Sequence, residues 1–292
     1  MTATSDPSSE FPSGRPTAAS LADYAPPPVA RAPEPSTNRR FATWRTISAL
    51  ILRDMSATYG RSPGGYLWMI LEPALGITLL TAIFSAGFRS PALGTNFAIF
   101  YATGLVPFQM YSAISSTMAY AVRGSRPLLA YPGVTFLDTL LAKLLLTILT
   151  QALVSLIVIS VIRTIYVTQT VIEFDTILTG YAMLIAFATA VGLMNGFLFM
   201  KFEIWARIWN ILSRPLVFIS GVIFLYDSLP EPYRGWLWWN PLVHCIGVIR
   251  SGFYIHYDAL YASPLYVFVV SGLVGLTGML FLSRHYRELL EI

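Results

Sequence analysis

Charged residues are scarce in this sequence of 292 residues, since only 12% are Asp, Glu, Lys or Arg. A soluble domain carries about 25% charged residues, so this chain has too few to cover a globular surface. Hydrophobic residues make up 55% of the chain, and an apolar surface is stable where it faces lipid. The composition therefore excludes an ordinary soluble protein and predicts an all-α integral membrane protein.

Motifs for nucleotide, metal and covalent chemistry are also missing. The single cysteine, Cys245, cannot form an intrachain disulfide. Neither lysine, Lys143 or Lys201, follows a glycine, so there is no P-loop for ATP. The three histidines are not spaced with carboxylates as metal ligands are, and no G-x-S-x-G motif occurs. We predict no metal site and no cofactor bound by this chain, and the absences argue against a membrane enzyme.

Residues 1–40 differ from the rest of the chain. They contain eight of the 19 prolines and almost no large apolar residues, so they cannot bury enough surface to offset the entropy of ordering. They also lack the apolar core of a signal peptide. We predict a disordered, Pro-rich cytoplasmic tail, an interfacial helix at 41–60 and a permease domain at 61–292.

Six stretches have the roughly 20 apolar residues that a spanning helix needs. The fifth is short and contains Pro215, and the apolar stretch Leu242–Ile255 is too short to be a confident span. The predicted spans are Tyr66–Gly87, Phe97–Ala121, Leu137–Ile162, Thr176–Phe199, Ile211–Tyr226 and Pro264–Ser283.

The distribution of Lys and Arg predicts the orientation, because cytoplasmic loops are enriched in both. With the N-terminus inside, twelve of these residues lie on the cytoplasmic side and four outside. This places both termini in the cytoplasm. The four outer residues are Arg89, Arg163, Arg234 and Arg250.

An amphipathic helix is predicted from Phe41 to Tyr59. A helix with Trp and Ile on one face and Arg on the other is typical of a membrane interface, although a small soluble bundle is an alternative. The apolar face holds Trp44, Ile47, Ile51 and Met55, and the opposite face holds Arg45, Ala49, Arg53 and Ser56.

Two charged residues lie about seven residues inside predicted spans, Glu72 in the first and Lys143 in the third. A charge near the bilayer centre costs about 2.5–3.5 kcal/mol on insertion scales. The long stem of Lys143 can reach the interface. Glu72 is shorter and precedes Pro73, so we predict that it faces the protein interior, pairing with Lys143 or an interfacial arginine. A role for Glu72 in the transport pathway is a further expectation.

The loop from Asp227 to Ser263 is long and apolar. Asn240 and Pro241 together indicate a helix start, because Asn caps helices and Pro is favoured at the first helical position. Two short helices in one external loop predict a re-entrant hairpin, which is tolerated only where it is buried in protein or lines a cavity. Its aromatic residues either belong to an interfacial belt or line a pathway in which their faces stack on sugar rings. The candidate pathway residues here are Tyr233, Trp236, Trp238, Trp239, Arg250 and Tyr254.

Two groups of residues resemble the membrane subunits of polysaccharide-exporting ABC transporters, the capsule and O-antigen permeases. The resemblance extends from Phe41 to the C-terminus. The first group is Leu52-Arg53-Asp54, Tyr59-Gly60-Arg61-Ser62, Gly65-Tyr66-Leu67-Trp68 and Leu71-Glu72-Pro73. The second is Ser220-Gly221, Leu229-Pro230, Asn240-Pro241-Leu242 and Arg250.

The resemblance implies an inner-membrane homodimer of six-span subunits that rests on a separate ATPase, which would bind ATP and Mg²⁺. It implies a re-entrant hairpin at Pro232–Tyr257 and a coupling element between the second and third spans. The cargo would be a lipid-linked capsular polysaccharide, with a periplasmic co-polymerase and an outer-membrane channel as further partners. The implied coupling residues are Arg123, Arg126, Pro127 and Tyr131.

Other functions remain open at this level. The same architecture could export O-antigen, a drug or a small lipid. A secondary transporter would carry more intramembrane ionisable residues and inverted repeats, which are not evident here. The basic residues are spread in ones and twos, which does not favour nucleic-acid binding.

Overall fold

A computed structural model describes residues 42–59, 65–124, 135–167 and 170–291. Within these ranges the chain forms nine α-helices, one 3₁₀ turn at Tyr226–Ser228 and no strand, as the composition predicts. The tail at 1–40 lies outside the described residues. The helices are α1 Ala42–Tyr59, α2 Gly65–Gly87, α3 Phe97–Gly124, α4 Phe136–Ile165, α5 Phe174–Lys201, α6 Glu203–Ile219, α7 Tyr233–Leu237, α8 Pro241–Ser251 and α9 Pro264–Glu291.

Five helices in the described part of the chain are long and apolar enough to cross a membrane. They are α2, α3, α4, α5 and the first 22 residues of α9, and each agrees with a predicted span to within a few residues at either end. The fold is therefore a multi-pass helical membrane protein.

The predicted boundaries of the fifth span are wrong. α6 begins at Glu203, eight residues before Ile211, and ends at Ile219 after only 17 residues. The helix ends there because Gly221 adopts a positive φ of 76°, which turns the chain and favours glycine. Arg207, which lies before the predicted span, is therefore on this helix together with Arg214.

The core of the bundle forms around α3, which packs against α2, α4, α5 and α8. Phe100, Met110, Ile114 and Met118 recur along α3 and are almost fully buried. α9 packs along α5 on the far side of the bundle. In contrast, α6 contains no buried residue and touches mainly α5 beside its own start.

The predicted helix before the first span is present as α1. Ile47 and Leu50 are buried against Ala142 and Leu145 of α4, whereas Trp44 is 64% exposed. Lys143 forms an ion pair with Asp54 of α1 at 3.7 Å. The interior face of α1 is therefore centred on Ile47 and Leu50, and the helix packs on a spanning helix rather than in a soluble bundle.

Local contacts determine where α4 begins and how α5 is joined to α6. Thr135 and Asp138 form a reciprocal capping box at the start of α4, which satisfies two backbone N–H groups. One extended residue, Phe202, separates α5 from α6. The indole N–H of Trp205 donates to the Asn195 side chain at 3.0 Å, so the angle between these two helices is held by a specific contact.

Candidate functional site

The segment that connects α6 to α9, residues 220–263, contains most of the predicted pathway residues and is called here the connecting segment. Its helix α8 begins as predicted, with the Asn240 side chain accepting from the Leu242 N–H at 3.1 Å and Pro241 at the first helical position. The Asn240 amide also donates to the Ile219 carbonyl at 2.9 Å. One side chain thus starts α8 and fastens it to the end of α6.

α8 is buried on nearly every side, although it has only 11 residues. It contacts α5, α3 and α9. The backbone of Ile249 approaches α5 at Gly180, where an added Cβ would lie 2.9 Å from the Ile249 nitrogen. Because Gly180 lies six residues inside the start of α5, α8 packs about 9 Å inward along that helix.

Arg250 anchors the connecting segment. Its guanidinium donates to the carbonyls of Gly221 and Val222, each at 2.7 Å, and to that of Phe224 at 3.2 Å. The side chain is 2% exposed and lies 4.4 Å from the centre of the Phe100 ring. These carbonyls follow α6 and have no helical partner, so Arg250 supplies the hydrogen bonds that a buried turn requires.

This arrangement changes the interpretation of Arg250. A pathway side chain would be accessible to cargo, whereas the Arg250 guanidinium is enclosed by α3 and by the turn that it holds. A Cβ on Gly104 of α3 would lie 2.8 Å from Nη2 of Arg250, which leaves no room for a ligand on that side. The geometry makes Arg250 a positioning residue for the segment around it.

An aromatic cluster lies at the other end of α8. The Trp238 indole N–H donates to the Tyr261 carbonyl at 3.2 Å, and the Trp238 ring lies 5.1 Å from His244 and 4.9 Å from Tyr266. The Tyr226 and Tyr261 rings stack at 4.0 Å. The cluster joins both ends of the connecting segment to the start of α9.

His244 is the polar centre of this cluster. Its Nδ1 accepts from the Ser263 N–H at 3.1 Å, so Nε2 carries the proton and donates to the Trp238 carbonyl at 2.7 Å. Burial lowers the pKa of His244, because the charged form loses its hydration. The neutral ring therefore satisfies both nitrogens and serves as a structural link.

The remaining predicted pathway aromatics separate into two kinds. Tyr233, Trp236 and Trp239 are 60%, 74% and 69% exposed, so their ring faces are available to a ligand, to lipid or to another protein. Tyr254 is buried and packs beside Gly94 in the turn before α3. Tyr233 and Trp236 contact each other in α7, with ring centres 6.3 Å apart. Trp239 instead contacts Trp238 and Tyr266.

Glu72 does not form the predicted pair with Lys143. Lys143 pairs with Asp54 instead, and Glu72 has no ion pair or hydrogen bond with any other residue that the structure describes. Its side chain is exposed on the surface of α2, although the following Pro73 is buried. Asp54 was not singled out from the sequence as the partner of Lys143, since its helix lies outside the spans.

The predicted coupling element falls at the end of α3. Arg123 is exposed in the last turn of that helix. Arg126, Pro127 and Tyr131 lie outside the described residues.

The two arginines predicted on the interfacial helix are both exposed on α1. Arg53 donates to Asp54 at 2.7 Å, and Arg45 is exposed on the same helix. Among the described residues, no group of three His, Cys, Asp or Glu is arranged to hold a metal ion.

The chain is similar to known membrane transport proteins over most of its length. The family model described as ABC-2 type transporter matches residues 45–254. The chain is 29% identical over 225 residues to the polysialic acid transport protein KpsM of Escherichia coli, covering 74% of this chain and 87% of that protein.

Two further similar proteins are described as capsule polysaccharide export inner-membrane proteins. CtrC of Neisseria meningitidis serogroup A is 25% identical over 241 residues, covering 82% of this chain and 91% of CtrC. BexB of Haemophilus influenzae is 26% identical over 248 residues, covering 85% of this chain and 93% of BexB.

Proposed function

Because this chain belongs to the ABC-2 type transporter family, we propose that it is the inner-membrane permease subunit of an ATP-driven exporter of a lipid-linked capsular polysaccharide. The observation that carries the proposal is its similarity, over most of its length, to KpsM, CtrC and BexB. The sequence has no P-loop, so ATP and Mg²⁺ would be bound by a separate ATPase subunit. The chain itself is a transport subunit and not an enzyme.

The proposed topology has six crossings and both termini in the cytoplasm, with α6 as the fifth crossing. α6 is about 25 Å long, somewhat short for a hydrocarbon core of about 30 Å, and the turn at 220–225 would complete the crossing. The connecting segment would then re-enter from the outer side. The depth at which α8 packs, two turns inside the ends of α3 and α5, supports this proposal because only backbone buried in protein is tolerated there.

α6 also supports a homodimer with a pathway at its centre. One stripe of this helix is polar, with Glu203, Arg207, Asn210 and Arg214 at helical spacing. The opposite stripe is apolar and exposed, with Leu212 at 53% and Ile219 at 48%. A helix of this kind at membrane depth needs both an apolar and an aqueous neighbour, and a second subunit around a water-filled pathway would supply them.

The ATPase would bind at the cytoplasmic ends of the helices. Arg123 lies in the last turn of α3, which is the most buried of the spanning helices in the described part of the chain. A displacement of this end of α3 would therefore be transmitted directly to the core. We propose that closure of the ATPase dimer acts through Arg123 and the residues that follow it, including Arg126, Pro127 and Tyr131. A periplasmic co-polymerase and an outer-membrane channel would receive the glycan.

Deletion of the gene for this chain should remove capsular polysaccharide from the surface of its source cell and leave the polymer inside. The same result is expected when the partner ATPase carries a substitution of its P-loop lysine, because this chain cannot bind ATP itself. Antibody staining of intact and lysed cells measures both pools. The tagged chain should co-purify with that ATPase as a 2:2 complex by native mass spectrometry.

Surface capsule that persisted with the inactive ATPase would refute the proposed function. A purified complex with one copy of this chain would refute the dimer while leaving the cargo untouched. Loss of O-antigen with an unchanged capsule would reassign the cargo.

The exposed and buried tryptophans should behave differently. Trp238→Ala removes the bond to Tyr261 and the contacts with His244 and Tyr266, so we expect the free energy of unfolding to fall by about 2–4 kcal/mol. The double variant Trp236→Ala/Trp239→Ala should unfold at the wild-type temperature, because both rings are exposed, yet lower export at least fivefold if their faces contact the glycan.

Thermal unfolding in detergent and the surface capsule assay separate the two effects. Phe174→Ala, which truncates an exposed ring on α5 outside the connecting segment, serves as the control. Wild-type export by the double variant at wild-type protein levels would confine Trp236 and Trp239 to the interfacial belt.

A further inference from the structure

Two spanning helices carry polar stripes that face each other. On α3 the stripe consists of Gln109, Ser112, Ser116 and Thr117, and on α4 it consists of Lys143, Thr147, Thr150 and Gln151. The α3 stripe has the spacing i, i+3, i+7, i+8 and the α4 stripe i, i+4, i+7, i+8, and both spacings place residues on one helix face. Glu72 of α2 lies beside them. Polar residues on a spanning helix are costly in lipid and mark sites of function.

These stripes line a continuous polar groove between α2, α3 and α4. It consists of two adjoining cavities of about 210 and 230 Å³, which share Met69, Ala113 and Gln151 as lining residues. One end lies at the Asp54–Lys143 ion pair and the other at Gln109. Lys143 and Gln151 are eight residues apart on α4, so the groove is about 12 Å long.

The polar groups of the groove are available to a ligand. Glu72, Gln109 and Gln151 make no side-chain hydrogen bond with any other residue in the described part of the chain. Ser112 and Ser116 are exposed. Thr147 and Thr150 donate to carbonyls of their own helix, which leaves their oxygens free to accept. An amide that meets only hydrocarbon loses hydrogen bonds worth about 1–3 kcal/mol, so an acyl chain is a poor occupant.

We propose that this groove binds a hydroxyl-rich segment of the exported glycan. Amide side chains donate and accept at once, and a carboxylate accepts from two hydroxyls, which together match the vicinal hydroxyls of a sugar. The groove is distinct from the exposed aromatic rings near α7, and one of its ends lies beside Asp54 of α1. It would therefore hold the glycan on the cytoplasmic side of its route.

The proposal rests on the proposed function, since it names where the cargo of that exporter binds. A second source of vicinal hydroxyls is the glycerol headgroup of phosphatidylglycerol, which offers only one such pair. The groove presents hydrogen-bonding groups along its whole length, from Lys143 to Gln109, and this repetition favours a polymer of sugars.

Binding is tested with the complete complex of this chain and its ATPase, reconstituted in nanodiscs of phosphatidylcholine. The probe is fluorescently labelled capsular polysaccharide released from the source cell. Gln109→Leu/Gln151→Leu should raise the Kd about tenfold, because two amides that bond hydroxyls are lost and each contributes a factor of several. Ser116→Tyr, which fills the groove from an exposed position, should raise the Kd to a similar extent.

The matched control is Thr179→Val/Thr277→Val, which removes two exposed hydroxyls that bond their own helices on α5 and α9, outside the groove. It should bind like the wild type. If the leucine variant does not assemble with the ATPase, Ser116→Tyr decides the question alone. A wild-type Kd for the variants that assemble would overturn the proposal.

A second arm distinguishes the two sources of hydroxyls. Nanodiscs containing phosphatidylglycerol are analysed by native mass spectrometry for retained lipid. Loss of retained phosphatidylglycerol from Gln109→Leu/Gln151→Leu, with an unchanged Kd for the glycan, would assign the groove to the lipid and overturn the proposal. Failure of the wild-type complex to bind glycan, together with capsule on cells that lack this chain, would instead refute the proposed function.

Discussion

Arg250→Met should release the connecting segment from the bundle and abolish export. Methionine has a similar length but no donors, so the carbonyls of Gly221, Val222 and Phe224 would remain buried without partners. Hydrogen bonds to a charged group contribute about 1.5–3 kcal/mol each, and the three are not additive. We expect the free energy of unfolding to fall by about 3 kcal/mol or more, which corresponds to a decrease of about 6–12 °C in Tm.

Thermal unfolding and limited proteolysis of residues 220–263 measure this effect. The stability of Arg250→Lys should lie between those of the wild type and Arg250→Met, because a lysine can bond one or two of the carbonyls. The matched control is Arg234→Met in α7, which breaks the ion pair with Glu231 at 2.9 Å. Both partners of that pair are substantially exposed, so its loss should cost less than about 1 kcal/mol. Wild-type proteolysis and export in Arg250→Met would contradict the anchoring role.

Gly278→Val should separate α9 from α5 and reduce the amount of folded protein sharply. A Cβ at Gly278 would lie 2.7 Å from the backbone nitrogen of Met194 and 2.9 Å from its Cα. Backbone atoms in a helix cannot move aside, so the two helices must separate. Overpacking of this kind costs about 1–3 kcal/mol or more, and close contact through small residues is what holds membrane helices together.

Gly272→Val is the matched control for this prediction. It makes the same substitution in the same helix, but nothing lies within 4 Å of the added Cβ. The two variants therefore share any change in helix propensity and differ only in packing. Fluorescence-detected size-exclusion chromatography after heating reports the folded fraction. Equal melting of both variants would show that the approach at Gly278 is not needed for stability.

The spans of α2 to α5 and of α9 were predictable because hydropathy over 20 residues is a local property. The same reasoning failed at α6. Its polar stripe lowers its hydropathy, and its end at Ile219 depends on the turn at Gly221 and on Arg250, which is 29 residues away in sequence. A hydropathy window of 20 residues cannot contain both Gly221 and Arg250.

The candidate site shows the same division. Asn240 and Pro241 start α8 as predicted, because a cap involves residues two or three positions apart. Trp236, Trp238 and Trp239 were all selected from the sequence as pathway candidates, yet only their packing separates Trp238 from the other two. Gln109 and Gln151 were overlooked, although two amides inside apolar runs were a visible signal. Their common role becomes visible only in the tertiary structure, where the packing of α3 against α4 places both side chains in one groove.

The sequence alone determined that this protein is helical, that it crosses a membrane several times and that it resembles a glycan-exporting permease. These properties depend on composition, on the length of apolar runs and on short motifs, all of which are local. The tertiary structure alone decided that Lys143 pairs with Asp54 rather than Glu72, that Arg250 is a buried anchor and that a polar groove lies between α2, α3 and α4. Such contacts depend on how helices distant in sequence pack, and packing selects one partner among several that the sequence allows.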